Sequence, residues 1–174
     1  TISVYAGIVF SEHSRNADRV YDDFYAETNF ADLMATTYDI EHKDNLTSAC
    51  SSIEHNRCET SLILTGQSKT DTDWIASKFY GIEQGQVNTL WNVDGSVTPS
   101  DGEIVIDAHF ALNDEINMKL GDTIDIIVGE GGVQTFTVIG FANSPLELFY
   151  ANPDSILPQE SSYVVAYMDA EVLA

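Results

Sequence analysis

The segment Gly102 to Pro145, GEIVIDAHFALNDEINMKLGDTIDIIVGEGGVQTFTVIGFANSP, decides the reading of this chain because its local signals agree throughout. It predicts a strand, a short helix and a β-hairpin. Glu103 to Ile106 is a brief β-branched run. Asp107 follows as an N-cap, its carboxylate suited to the N–H groups that a first helical turn leaves unpaired. The helix behind it, about two turns long, carries Ala108, Ala111 and Leu112 on one face. Leu120 precedes the turn pair Gly121-Asp122, after which Ile124, Ile126 and Val128 alternate with Asp125 along Thr123 to Val128 as in a half-buried strand. Gly129 to Gly132 supplies the positive φ angles of a tight hairpin, and Val133 to Ile139 returns with Phe136 and Val138 on one side. Together these elements make a small lobe.

Outward from this lobe, Asn143 to Pro158 reads as a loop, Tyr163 to Met168 as a strand returning to an earlier sheet, and Asp169 to Ala174 as a helix just starting. On the N-terminal side, Trp74 to Ile82 and Glu59 to Gly66 read as strands, Thr60, Leu62 and Leu64 alternating in the latter. Asp44 or Asn45 caps a helix near Leu46 to Ile53, and Phe30 to Tyr38 is a further strand. The order predicts an α+β fold of two lobes, a βαβ-like one and the small β lobe. From Ser11 onward Ala17, Val20, Tyr21 and Phe24 recur at helical spacing. Thr1 to Phe10 is apolar and uncharged; periodicity alone leaves it open between helix and strand.

Taken in order, these motifs resemble the extracytoplasmic domain of MacB/FtsX-type ABC-transporter permeases. The residues that carry the likeness are Glu103-Ile104-Val105-Ile106-Asp107, the short helix, the turn Lys119-Leu120-Gly121-Asp122-Thr123, and the run Phe136 to Pro145, FTVIGFANSP. Tyr21 to Met34, YDDFYAETNFADLM, resembles the segment that follows the family's first membrane helix. The resemblance implies a stalk helix over residues 1–28 continuing from a membrane helix, with Ala17, Val20, Tyr21 and Phe24 on its shared face. It further implies the first part of the α+β lobe over 29–98, an inserted small β lobe over 99–142, and a return to the first lobe over 143–174, incomplete at the C-terminus. It implies a non-catalytic module on the extracytoplasmic side of the cell membrane, without a cofactor. The partners would be a cytoplasmic ABC ATPase and the permease's own or a partner's membrane helices, with a dimer as one arrangement. The ATPase cycle would then drive export or activate an outside partner. The alternatives are a secreted binding domain and a hydrolase using His109 with a carboxylate. The chain opens on Thr1 and breaks off in a starting helix, so it reads as a piece of a longer polypeptide.

Composition narrows the partners. At 174 residues the chain fits one domain with a sizeable core, and 28 acidic against 7 basic residues give a net charge of -21. That charge speaks against nucleic acid and anionic lipid as partners. The acidic residues are scattered rather than clustered, which fits a folded domain with a heavily solvated surface. Such a surface suits a salt-rich environment, where carboxylate repulsion is screened within about one Debye length. No stretch approaches the roughly 20 apolar residues of a membrane span.

Chemistry-bearing residues are few. Cys50 and Cys58, even in number and close together, permit a local disulfide; with His55 and His42 nearby they also permit a zinc site, although C-x4-H-x2-C is not an established ligand pattern. Asn92, Asp94, Gly95 and Asp101 partly imitate a calcium loop, but Leu90 stands at the first ligand position, so a solvated connecting loop is the better reading. His109 has no nucleophile elbow to serve, and Ser144 precedes a proline. No G-x-x-x-x-G-K-[ST] phosphate loop exists, and Gly129 to Gly132 lies between strands rather than opening a helix. Asn45-Leu46-Thr47 is a glycosylation sequon or simply part of a helix cap.

Overall fold

A computed structural model of the chain describes residues 16, 18–38, 43–52, 57–71, 73–82, 85–129, 131–147 and 161–173. The order of elements is α1 (residues 18–27), α2 (Lys43–Ser51), β1 (Leu62–Lys69), β2 (Trp74–Ile82), β3 (Trp91–Gly95), β4 (Glu103–Asp107), α3 (Ala108–Ala111), β5 (Thr123–Val128), β6 (Gln134–Asn143), β7 (Tyr163–Asp169) and α4 (Ala170–Leu173). This is an α+β fold whose sheet closes on itself.

Strands β1 and β2 form an antiparallel hairpin from Leu62↔Gly81 to Lys69↔Trp74. β2 lies parallel to β7, β7 antiparallel to β4, and β4 parallel to β6. β6 runs antiparallel to β5, and β5 returns antiparallel to β1, which completes a barrel. β3 is added to the C-terminal half of β6, on the edge that β5 occupies farther back along that strand. The apolar run Tyr163 to Met168 explains β7: with a neighbour on each edge, it is buried at every one of those positions, as central strands read. Half-buried Leu62 and Leu64 alternate with exposed residues in β1, as in a strand with one wet face. Phe79, Ile104, Ile106, Phe110, Val138 and Val164 are fully enclosed, and each such side chain contributes about 2–3 kcal/mol of burial.

Several expectations are corrected. No strand forms over Phe30 to Tyr38: the chain there is irregular, Leu33, Met34 and Tyr38 are exposed, and the N–H of Ala31 donates to the side chain of Asn88 instead of a ladder. The strand–helix–strand unit expected there is thus a helix followed by a hairpin. α2 begins at Lys43, which puts Asp44 and Asn45 inside its first turn rather than at the cap; Asp44 there suits the positive end of the helix dipole. β1 starts at Leu62 and runs on to Lys69. The helix after Asp107 is a single turn, with Leu112 at its C-cap and 52% exposed; Phe110 takes the inward position instead. The turn stops there because the chain folds back, the N–H of Met118 donating to Ala111 O at 2.9 Å. β6 continues to Asn143, held between β4 and β3, and Asn92 to Gly95 lie in β3 rather than in a connecting loop.

Candidate functional site

Helix α1 is fastened to the barrel by its C-terminal end. The N–H of Phe30 donates to Tyr25 O at 3.1 Å and that of Asn29 to Ala26 O at 3.4 Å, with Asn29 in the left-handed region at φ 48°: a Schellman ending in which asparagine takes the usual place of glycine. The rings of Tyr25 and Phe30, 4.8 Å apart, supply the apolar contact that accompanies this motif. Buried Thr28 donates its hydroxyl to Phe24 O at 2.7 Å. The cap is then bonded to the segment entering β3: Asn88 N–H to Asn29 O at 3.0 Å and Thr89 N–H to Thr28 O at 2.8 Å, with Asn88 Oδ1 accepting from Ala31 N–H at 2.9 Å. Phe24 packs against Trp91 with ring centroids 5.4 Å apart. Of the residues expected on one shared face, Phe24 therefore touches the barrel, while Val20 and Tyr21 are 62% and 53% exposed. Ala17 lies outside the described residues, as do residues 1–15.

The turn singled out in the sequence is a clip between β5 and β6. Asp122 N–H donates to Lys119 O at 3.1 Å and Gly121 stands at φ 89°, the geometry of a turn that requires positive φ at its third residue. Asp122 Oδ2 accepts from Lys119 N–H at 2.8 Å, which closes the turn from the other side. Two further bonds, Gly121 N–H to Val138 O at 2.8 Å and Val138 N–H to Asp122 O at 2.9 Å, lock it to β6, and Thr123 then opens β5 against Thr137. These contacts of Lys119, Gly121 and Asp122 all shape the backbone.

At the junction of β4 and α3, Asp107 caps the helix, its Oδ1 accepting from His109 N–H at 2.9 Å. The same oxygen lies 2.9 Å from His109 Nδ1, and Tyr167 directs its hydroxyl to Oδ2 at 3.5 Å. Asp107 is wholly buried, whereas the His109 side chain is 44% exposed. In the turn after β6, Glu147 accepts from Lys78 Nζ at 2.6 Å and from the Tyr80 hydroxyl, both on β2, while the Tyr80 and Tyr167 rings stack at 5.7 Å. Burial, reinforced by the hydrogen bond and charge of Glu147, pushes Tyr80 well above the usual phenol range. Burial and Glu147 push Tyr163 up to about 12. Burial and the carboxylate of Asp107 raise Tyr167. Tyr80 and Tyr167 stay neutral and donate to Glu147 and Asp107; Ser144, buried beside them, accepts from Leu146 N–H at 3.1 Å. The Asp107 carboxylate orients the His109 imidazole. Next to this cluster a cleft of about 200 Å³ opens between Tyr80, Ile82, Leu90, Pro99, Leu146 and Tyr167.

The remaining candidates are placed as follows. Cys50 and Cys58 are bonded to each other with Cα atoms 5.4 Å apart, joining the end of α2 to the segment before β1. His42 and His55 lie outside the described residues. Asn92 donates to Gly95 O at 3.1 Å and Asp94 Oδ1 accepts from Gly95 N–H at 2.8 Å, so both side chains serve the end of β3; Asp101 sits in the turn before β4. Asn45 and Thr47 lie within α2. Among the described residues no three His, Cys, Asp or Glu side chains converge on a common point, and no helix is long and apolar enough to cross a membrane. The anchorage of α1 was missed by sequence reasoning; Asn29 after a helical run, followed by an aromatic residue, is the local signal for its cap.

No protein-family model and no curated protein matches this chain. Several solved structures are similar to it, including these two. The extracellular domain of the noncanonic ABC-type transporter YknZ from Gram-positive bacteria is 19% identical, over 65% of this chain and 54% of that one, with a TM-score of 0.43. The periplasmic region of MacB from Actinobacillus actinomycetemcomitans is 14% identical, over 75% of this chain and 55% of that one, also with a TM-score of 0.43. The chain thus spans about half the length of the solved domains it matches.

Proposed function

We propose that this chain is a non-catalytic extracytoplasmic domain of an ABC-transporter permease, which passes the cycle of a cytoplasmic ATPase through a stalk to an outward task, export or the activation of an outside partner. The observation that carries the proposal is the anchorage of α1. A helix that delivers movement must be joined to its load by something stiffer than a loop, and here the Schellman ending, two backbone hydrogen bonds to residues 88 and 89 and the Phe24–Trp91 contact make that joint. The motif order around Lys119 to Thr123 supports the same reading. The division into a stalk over 1–28, an α+β lobe over 29–98 and 143–174 and an inserted lobe over 99–142 belongs to this proposal, with Ala17 in the stalk and the membrane helices before it.

The test is made in the parent polypeptide with its ATPase. Ala17→Pro removes a backbone donor and crowds the preceding turn, at a cost of about 3 kcal/mol in a helix interior. It is expected to leave expression and basal ATP hydrolysis intact while reducing the outward function, whereas Ala17→Leu does far less. Full function in both variants would sink the proposal.

A further inference from the structure

We infer that the outer face of α1 is a docking surface for a cationic segment of another polypeptide, one that presents lysine or arginine around an apolar anchor. The face is built of rings in mutual contact. Tyr21 stacks on Tyr25 at 6.4 Å, Tyr25 meets Phe30 at 4.8 Å and Phe24 at 6.0 Å, and Phe24 continues to Trp91. Tyr21 is 53% and Phe30 38% exposed, so the row is open to solvent although its inner members are held. Alongside runs a row of carboxylates: Asp18 and Asp22 are four residues apart, and Tyr21 and Tyr25 each follow one of them by three, which makes acid and ring direct neighbours on the helix. Asp23 and Glu27 form a second like-charged pair in the last turns, where negative charge opposes the helix dipole. Arg19 is the one cation among the described residues of α1.

Both carboxylate pairs weaken the isolated helix, and the pair beside the rings, Asp18 with Asp22, would be relieved by an arriving cation. A lysine or arginine lying between the two rows gains a carboxylate on one side and a ring face on the other. The occupant follows from charge: a second copy, a nucleic acid or an anionic membrane would meet a chain of net charge -21 and be repelled. The inference stands apart from the permease reading, since it rests on the rings and carboxylates of α1 and on the net charge, and needs no stalk.

The probe is a helical peptide of two Leu-Lys-Lys-Leu-Leu-Lys-Leu heptads, titrated calorimetrically into the full chain at low salt. A Kd on the order of micromolar is expected, with Tyr21→Ser and Asp22→Asn each weakening binding by about fivefold or more and Tyr21→Phe, which keeps the ring, by less than about twofold. Neutralising two acids away from α1, Asp114→Asn with Glu115→Gln, is the control and is expected to change little. Binding that falls equally in the control would mean attraction to net charge only and would overturn the inference. So would no binding at about 1 mM peptide, or self-association in sedimentation that disappears with Tyr21→Ser, which would hand the face to a second copy. Circular dichroism of the half-exposed Tyr21 variants verifies that α1 survives.

Discussion

Gly140 offers the sharpest test of how β3 sits on the barrel. It lies in β6 between Val105 of β4 and Gly95 of β3, and its φ is one that any residue can adopt. A methyl group at this position would overlap the carbonyl oxygen of Ser96, with that carbonyl's carbon at 2.8 Å and the Ser96 nitrogen at 3.1 Å. Backbone cannot rotate out of the way as a side-chain tip can. The segment after β3 must therefore retreat, losing the bond from Ser96 N–H to Ile139 O, now 2.9 Å. That bond contributes about 1 kcal/mol net, overpacking adds about 1–3 kcal/mol, and the alanine recovers about 0.4–1 kcal/mol by restricting the unfolded chain. Gly140→Ala is expected to destabilise by about 1–4 kcal/mol, a fall in Tm of roughly 2–15 °C for a chain of this size. Urea denaturation with an unchanged m-value measures it. Gly121→Ala is the intermediate case: open space surrounds it, but its φ of 89° costs a side chain about 1 kcal/mol. Gly132→Ala, with nothing within 4 Å and no positive φ, is expected to be neutral or slightly stabilising. Equal tolerance of Gly140→Ala and Gly132→Ala would refute the placement of β3 against β6.

Two further expectations follow from the paired cysteines and the buried phenols. Cys50→Ser with Cys58→Ser opens the short loop between α2 and β1 and is expected to cost about 2–3 kcal/mol of stability under oxidising conditions and nothing under reducing ones, read by parallel urea titrations. Tyr80, Tyr163 and Tyr167 all hold their protons above the usual phenol range, Tyr163 up to about 12. Above about pH 10 the unfolded chain sheds protons that the native state keeps, so the phenols' contribution to stability is constant below pH 10 and is lost as pH rises through the native values. Tyrosinate absorbance that reached full amplitude by about pH 11 with native circular dichroism intact would contradict this.

Where local pattern coincided with final environment, the sequence was legible. Tyr163 to Met168 is apolar over its whole length and Trp74 to Ile82 over most of its own, and both became strands with a neighbour on each edge. Asp107 capped its helix because a cap is a contact between residues two apart. The α+β class and the turn at Gly121 were readable for the same reason. β3 was not: WNVDG is short and mostly exposed, and only its pairing with the distant end of β6 makes it a strand. Leu112 was misplaced because one turn of helix carries no period, so an apolar residue at its end need not face inward. The candidate site shows the same division. The aromatic residues near Phe24 were visible, but helical spacing does not tell a core face from an open one, and Val20 and Tyr21 proved open. The meeting of Asp107 with Tyr167, and of Tyr80 with Glu147, depends on which strands adjoin, and no local signal encodes it.

The position of β7 has a consequence for how the molecule comes into being. It stands between β2 and β4, so the pairs Ala76↔Tyr163 and Val105↔Tyr167 join residues far apart along the chain. Closing such wide loops is entropically costly before any contact rewards it, and topologies dominated by them fold slowly. During synthesis the β1–β2 hairpin can form early, yet its partner strand emerges only after β3 to β6 have been made. Until then Phe79 and Ile104 have no complete wall around them. On the ribosome the sheet therefore stays unclosed while most of the chain is made, and the barrel is completed only after residue 169 has appeared.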